Sequence, residues 1–415
     1  MKTHRKTRSL ACLAGLLSIV PASAGENKPT EPAPAPAATG WCDWLRTDPG
    51  LLYSDKSNPW IQAFDIGGRF QYQAAYLDAT DVNDIDFHDT YDEYRRFRIE
   101  TKTDFLRYFR AEINANLVED NRFRDDPDND LEWGYDDFDE VSLRFDIGKA
   151  FGSGMLDGIK LKYGRMKLKI TEEAHQSSKE IYTIERSAIT DRLGGDAGRP
   201  TGLTLQLEKG EWELVLGMFS GEDDSDFLGG WNDGRFYYAG LNWKPDRDFW
   251  MQLDYTQNDQ KGIDDSLGYS WAAALSATYD KKHWGFISEI AYGDNGSSNG
   301  LIQRRQGNFH GFVAMPWYWI VPKKLQAVVR YEYGGSSELQ GLQLPSRYLR
   351  AAHDNAAVDV DNGRGHELHS IYAGLNYYIC DNNVKIMAGV SHDELETRRS
   401  QVRATTYQIA FRTSF

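Results

Sequence analysis

The chain has 415 residues, 13 % of them aromatic, with 38 glycines, a formal net charge of −15 and a mean hydropathy of −0.60. That hydropathy excludes a bundle of spanning helices, each needing about 20 apolar residues, and no nucleic-acid partner is expected of so acidic a chain. A polar chain rich in Tyr, Phe, Trp and Gly points instead to β-structure.

At the N-terminus Lys2, Arg5, Lys6 and Arg8 precede an apolar run from Leu10 to Val20, and Ala22-Ser23-Ala24 supplies a small-residue cleavage pattern. Residues 1–24 therefore read as a signal peptide. Cys12 follows the basic region with no apolar run before it, so no lipid anchor is expected there. Residues 25–60 begin with the Pro/Ala-rich linker "GENKPTEPAPAPAATG" and continue as an N-terminal segment expected in the periplasm. Two cysteines remain, Cys42 and Cys380, in a compartment where disulfides persist.

Residues 61–415 read as an all-β, transmembrane antiparallel barrel. From residues 62–77 to the last segment, 402–415, about sixteen stretches of roughly ten residues alternate with period two, the length and pattern of a tilted membrane strand. Short connections ("EKGE", "KPDR", "YDKKH", "VPKK", "CDNN") alternate with long acidic ones, among them "DATDVNDIDFHDTYD" and "QGLQLPSRYLRAAHDNAAVDVDNGRG". Outer-membrane barrels place short turns in the periplasm and long loops outside, and an even strand count leaves both termini periplasmic. A soluble β-sandwich would also alternate and be exported. It does not explain apolar outward faces on nearly every strand, or aromatics at the strand ends.

The alternation assigns faces. An Arg or Lys against the bilayer midplane costs about 2–4 kcal/mol, so in "YRRFRIETK" Phe97 and Ile99 face lipid while Arg96, Arg98, Glu100 and Lys102 face the lumen. The same parity turns inward Arg69, Arg110, Arg144, Lys160, Lys162 and Arg330, and Arg412 in "ATTYQIAFRTSF". Two such cations about 7 Å apart along a strand repel by roughly 0.6 kcal/mol in water and about fourfold more at lower dielectric. Either neighbouring carboxylates such as Glu100, Glu112 and Asp146 offset that, giving a neutralised structural ladder, or passing anions do.

Several segments in order, "RRFRIETKTDFLRYFRAEIN", "IKLKYGRMKLKITEEAHQSSKEIYTIERSAITDRL", "LQAVVRYEY", "IYAGLNYYICDNNVKIMAGVSHDEL" and "YQIAFRTSF", resemble the phosphate-selective porins O and P. The resemblance covers most of residues 62–415. It implies a sixteen-stranded homotrimeric porin whose third loop, about residues 168–198, folds into the lumen and guides anions past arginines and lysines. By motif it places Arg95, Arg96 and Arg98 on the family's strand-two arginines, Arg186 on the third-loop "ERS" element, and Lys167 and Lys169 at the entry to that loop. Glu172, Glu173, Glu180 and Glu185 depart from a purely basic loop.

Other motifs carry less. "GSSNG" matches a nucleophile pattern but lacks the strand-turn-helix context that chemistry requires. His366 and His369 point to opposite faces of a strand, and "DDPDND" has Leu131 where a calcium loop needs Gly. No cofactor, metal or catalytic residue is expected. The expected function is passive diffusion of small anions, phosphate or polyphosphate among them. The expected surroundings are outer-membrane lipid and lipopolysaccharide. A non-selective or sugar-passing porin is the alternative; an outer-membrane hydrolase or an adhesive barrel is the alternative of another class. Cys42 precedes the first strand and Cys380 sits in a short turn on the same side, so a disulfide is expected to pin the N-terminal segment beneath the pore, with two separate thiols as the other outcome.

Overall fold

The computed structural model describes residues 40–118, 134–194, 199–221, 227–231, 234–259, 267–296, 305–352 and 358–415. The signal-peptide reading, "DDPDND" and most of "GSSNG" lie outside them. Sixteen antiparallel strands form the barrel. They are β1 (Ile61–Thr80), β2 (Asp86–Phe105), β3 (Phe109–Asn116), β4 (Phe138–Asp146), β5 (Gly158–Arg165), β6 (Thr201–Lys209), β7 (Trp212–Ser220) and β8 (Arg235–Trp243), followed by β9 (Phe249–Asn258), β10 (Trp271–Asp280), β11 (Trp284–Asp294), β12 (Asn308–Val321), β13 (Leu325–Ser336), β14 (Glu367–Cys380), β15 (Val384–Glu396) and β16 (Gln401–Ser414). Each pairs with its successor, and β16 closes on β1 from Arg403↔Thr80 to Ser414↔Arg69. Closure leaves no edge, which is what lets strands cross hydrocarbon with every backbone group paired.

The period-two pattern appears as two faces. Along β16 Tyr407, Ile409 and Phe411 are exposed while Thr406, Ala410 and Arg412 are buried; along β14 Ile371, Leu375 and Tyr377 are exposed while Tyr372, Asn376 and Tyr378 are buried. Exposed aromatics gather near both ends of the strands. Trp212, Trp284, Tyr318 and Tyr377 stand at the short-turn end, and Tyr76, Tyr237, Tyr255, Tyr292 and Tyr407 toward the loop end. These are the two girdles that flank the lipid band of an outer-membrane barrel.

Two expectations change. The stretch 78–92, read as a long loop, is mostly a hairpin: β1 and β2 pair out to Thr80↔Asp86, leaving only residues 81–85 as the turn. Its inner face buries Leu77, Ala79 and Tyr91, while Asp78, Asp86 and Asp92 remain exposed on the other face. The alternation is hidden there because outward positions above the lipid band take acidic rather than apolar residues. Second, β2 carries a β-bulge opposite Gln71 and Tyr72. It turns both Arg95 and Arg96 inward between the outward Tyr94 and Phe97, where strict alternation would put Arg95 against lipid.

Below the barrel the helix Trp41–Arg46 and the short strand Leu51–Ser54, which pairs with the start of β1, line the short-turn rim. Cys42 and Cys380 form a disulfide with their Cα atoms 5.2 Å apart. Arg46 adds an ion pair to Asp381 at 2.8 Å. Trp41 and Trp44 of that helix are more than half exposed; the disulfide and the ion pair hold the segment without them.

Candidate functional site: a lumen divided by two inward loops

The apolar core of this molecule lies inside the barrel. Leu168, Ile170, Ile189 and Leu193 from the connection between β5 and β6, and Leu344, Tyr348, Leu349 and Val360 from that between β13 and β14, pack with inward residues of the wall into one buried cluster. Both connections, loops three and seven in order, therefore enter the lumen.

Loop three, residues 166–200, is fastened strand by strand. At the start of the short helix Glu172–His175, where backbone N–H groups lack intrahelical acceptors, Thr171 donates to Asp254 of β9 (3.0 Å), Glu172 to Ser276 of β10 (3.1 Å) and Glu173 to Glu289 of β11 (2.9 Å). The N–H groups of Ala188 and Ile189, opening the helix Ala188–Gly194, donate to the Glu332 carboxylate of β13 at 3.0 and 2.6 Å. Arg330 of β13 pairs with Glu173 at 3.2 Å, and Arg95 of β2 pairs with Glu185 at 2.9 Å. Arg412 of β16 donates to the carbonyls of Ser178 and Ile184, Lys385 of β15 to that of Ile181 (3.0 Å), and Asn376 of β14 to that of Tyr182 (2.8 Å). The loop thus lies along the wall from β9 round through β16 to β2.

Loop seven seals the outer part of the same half. The helix Arg347–Ala352 is held by Glu93 of β2, which accepts from Arg347 (2.6 Å) and from the Tyr348 hydroxyl (2.9 Å). At the loop rim Arg399 hydrogen-bonds Asp359 and holds its carboxyl below the usual range. Burial pushes the neighbouring Asp361 carboxyl up, but the hydrogen bond and charge of Arg398, 2.8 Å away, outweigh it and hold it low as well.

What stays open is the half walled by β3 to β8. A cavity of about 390 Å³ there is lined by Arg110, Arg144, Lys160, Lys162, Lys167 and Lys169, against only three carboxylates, Glu112, Glu140 and Glu213. Arg110 and Arg144 also line a second space of about 640 Å³ at the short-turn mouth, with Lys56, Arg107 and Lys149. Lys162 pairs with Glu140 and lies 3.6 Å from Glu112, Lys160 pairs with Glu208, and Arg110 pairs with Asp104, one of its bonds being 2.7 Å. Arg144 and Lys169 make no side-chain ion pair among the described residues, so their charge is offered to whatever enters.

The arginines and lysines read from the sequence consequently fall into two groups. Arg110, Arg144, Lys160, Lys162, Lys167 and Lys169 line the open cavity, and Lys102 is exposed on the inner face of β2. The others face inward but are covered. Arg98, only 5 % exposed, is locked to Asp139 (2.6 Å) and Asn116 (2.8 Å), and Asp139 is shared with Arg199. Arg69 pairs with Glu100, and Arg96 donates to Gln71 (2.8 Å). Arg95, Arg330 and Arg412 anchor loop three, as above. Arg186 stays within that loop, donating to the carbonyls of Glu173 (2.7 Å) and Gln176 (3.0 Å). Arg69, Arg95, Arg96, Arg98, Arg186, Arg330 and Arg412, expected along an anion path, have loop-three groups and wall residues as their partners. Unread in the sequence were Glu93 and Arg347, and the mouth residues Lys56, Arg107 and Lys149. The apolar run Tyr348, Leu349, Ala351, Ala352 inside an otherwise polar loop was the available signal for the first pair.

The profile of the phosphate-selective porin O and P family matches residues 64–230. No curated protein sequence matches the chain. Among solved structures, the outer-membrane channel DcaP of Acinetobacter baumannii superposes with a TM-score of 0.55 at 10 % identity, covering 88 % of this chain and 100 % of that one. The anion-selective porin from Comamonas acidovorans gives 0.53 at 10 %, over 85 % and 99 %. OprB of Pseudomonas putida gives 0.55 at 9 %, over 85 % and 94 %. Such identities speak for the fold. Fold, profile and sequence resemblance agree: this is a closed sixteen-stranded β-barrel with the fold of outer-membrane porins, similar over residues 64–230 to the phosphate-selective porins O and P.

Proposed function

We propose that the protein is a passive channel favouring small anions, phosphate among them, and that it works as a homotrimer. The observation that carries the selectivity is the cavity wall, where six arginine and lysine side chains meet three carboxylates and Arg144 and Lys169 keep their charge unpaired among the described residues. In a narrow, low-dielectric-walled space an excess of one sign concentrates counter-ions and excludes co-ions. No covalent step is involved; the residues lower the energy of an anion in transit. Two similar folds support the reading by what their descriptions say, an anion-selective porin and a porin described in a trimer form. The ion pairs of Lys160, Lys162 and Arg110 favour a second reading, a weakly selective or sugar-passing pore, because they cancel half of the cations. The reversal potential of single channels in a KCl gradient separates the two. A chloride-favouring sign is expected, with millimolar phosphate lowering the chloride conductance. A potential near zero would leave the second reading, and a cation-favouring sign would refute the first.

A further inference from the structure

An aromatic girdle belongs on the lipid face of a barrel, yet at the short-turn end of this one several large rings point inward. Trp250 of β9, Trp319 of β12 and Tyr182 of loop three line a cavity of about 420 Å³ on the underside of loop three, across the lumen from the basic wall. The arrangement is built rather than incidental. Gly285 leaves room for the adjacent inward Trp317, whose ring would lie 2.0 Å from a Cβ at that position, and Tyr182 stacks on that ring at 4.4 Å. Glu172 accepts from the Trp250 indole N–H at 2.9 Å and so fixes the orientation of that ring.

The charge here is opposite to that of the open cavity. Four carboxylates line the space against the single Lys323. One of them, Asp381, is taken by Arg46, whereas Glu180 and Asp280 make no ion pair among the described residues. Carboxylates beside the faces of Trp and Tyr are the surroundings an ammonium prefers, since the ring quadrupole and the anions attract the same charge. The Trp250 face already attracts one: the Lys244 ammonium stands 4.9 Å from its centroid. A further observation narrows the ligand. Gln326 lines the same cavity fully buried, and its Nε2 has no hydrogen-bond partner among the described residues. A buried donor left unmatched is costly, and an oxygen on the ligand would match it.

From these we infer that the vestibule beneath loop three binds small organic ammonium compounds that also carry an oxygen acceptor, the class to which amino alcohols belong. The site lies across the lumen from the basic wall, its electrostatics have the reverse sign, and its occupancy does not depend on which ion the pore prefers.

Choline, a quaternary ammonium bearing a hydroxyl, is the probe, added to the short-turn side of single channels of the full protein in planar bilayers. A saturable fall in conductance or rise in current noise is expected with choline and not with glucose. Trp319→Ala should weaken it about tenfold through loss of a desolvated ring face, and Glu180→Gln, at an exposed carboxylate within the cavity, should do the same if Trp319→Ala fails to fold. No saturable choline effect, an equal effect of glucose, or a choline effect unchanged in Glu180→Gln would each overturn the inference. The reversal potential is read in the same recordings, so loss of anion selectivity would be seen independently of choline binding.

Discussion

Replacing Arg144 by Gln should change ion selectivity while leaving the barrel intact, and the size of the change follows from its surroundings. Arg144 lines both the open cavity and the short-turn mouth and makes no ion pair among the described residues. An ion passing at about 5 Å through water of dielectric near 80 feels roughly 0.8 kcal/mol from one unit charge. At 0.1 M salt, where the Debye length is about 10 Å, screening reduces this to about 0.5 kcal/mol. Removing the charge then lowers local anion occupancy about twofold and raises that of cations by the same factor. The anion-to-cation permeability ratio should fall about fivefold for Arg144→Gln, and by a similar factor for Lys169→Gln. Arg98→Gln is the contrasting variant. That side chain is buried on Asp139, which retains Arg199, so its loss should cost about 3 kcal/mol of stability with little effect on selectivity. Reversal potentials in a KCl gradient, with thermal unfolding of the same preparations, measure both quantities. An unchanged ratio in Arg144→Gln, or an equal shift in Arg98→Gln, would refute the division of the lumen into a charged path and a fastened half.

Arg330→Met should leave the Glu173 carboxylate buried without its cation, loosen loop three at a cost of about 3–5 kcal/mol, and appear as higher and noisier single-channel conductance. Removing the disulfide by Cys42→Ala should lower the unfolding temperature: the bond closes a sequence separation of 338 residues, worth at most about 6 kcal/mol of chain entropy. Wild-type protein heated with and without reductant should show the same difference. Because Asp359 and Asp361 have depressed folded values, their contribution is present above the ordinary carboxylate range and is lost as pH falls through those values. Hydrogen exchange of residues 358–363 and 397–400 should therefore rise below about pH 4, at which the unfolded-state carboxylates protonate, and rise less in Arg398→Gln.

The sixteen strands could be read from sequence because lipid imposes the same rule on each: an apolar outward face at every second residue, as at Tyr407, Ile409 and Phe411. That rule says where a side chain points and nothing about what it meets there. Arg98 and Arg144 look alike in sequence, both inward on alternating strands, yet one meets Asp139 and the other lines an open cavity without an ion pair among the described residues. The partners that decide between them are remote in the chain. Arg95 finds Glu185, and Arg330 finds Glu173, because loop three crosses a space that strand periodicity does not describe. The bulge that turns Arg95 inward was invisible for a related reason, since a single extra residue changes parity without any turn signal. Loop seven hid its entry into the lumen behind a polar composition. The two cysteines could be placed on one side from topology alone, because an even number of strands returns the chain to where it started.

The disulfide also changes how the last junction of the barrel forms. β1 and β16 are the most distant strands in sequence, and their pairing is the contact whose search a free chain finds slowest. With Cys42 fixed to the end of β14, the start of β1 is tethered beside the turn that leads into β15. The seam then closes between neighbours at high effective concentration rather than between the ends of a long chain. An oxidised chain should therefore complete its barrel faster than a reduced one, and a seam that opens by fluctuation should reclose before its unpaired edges meet another molecule.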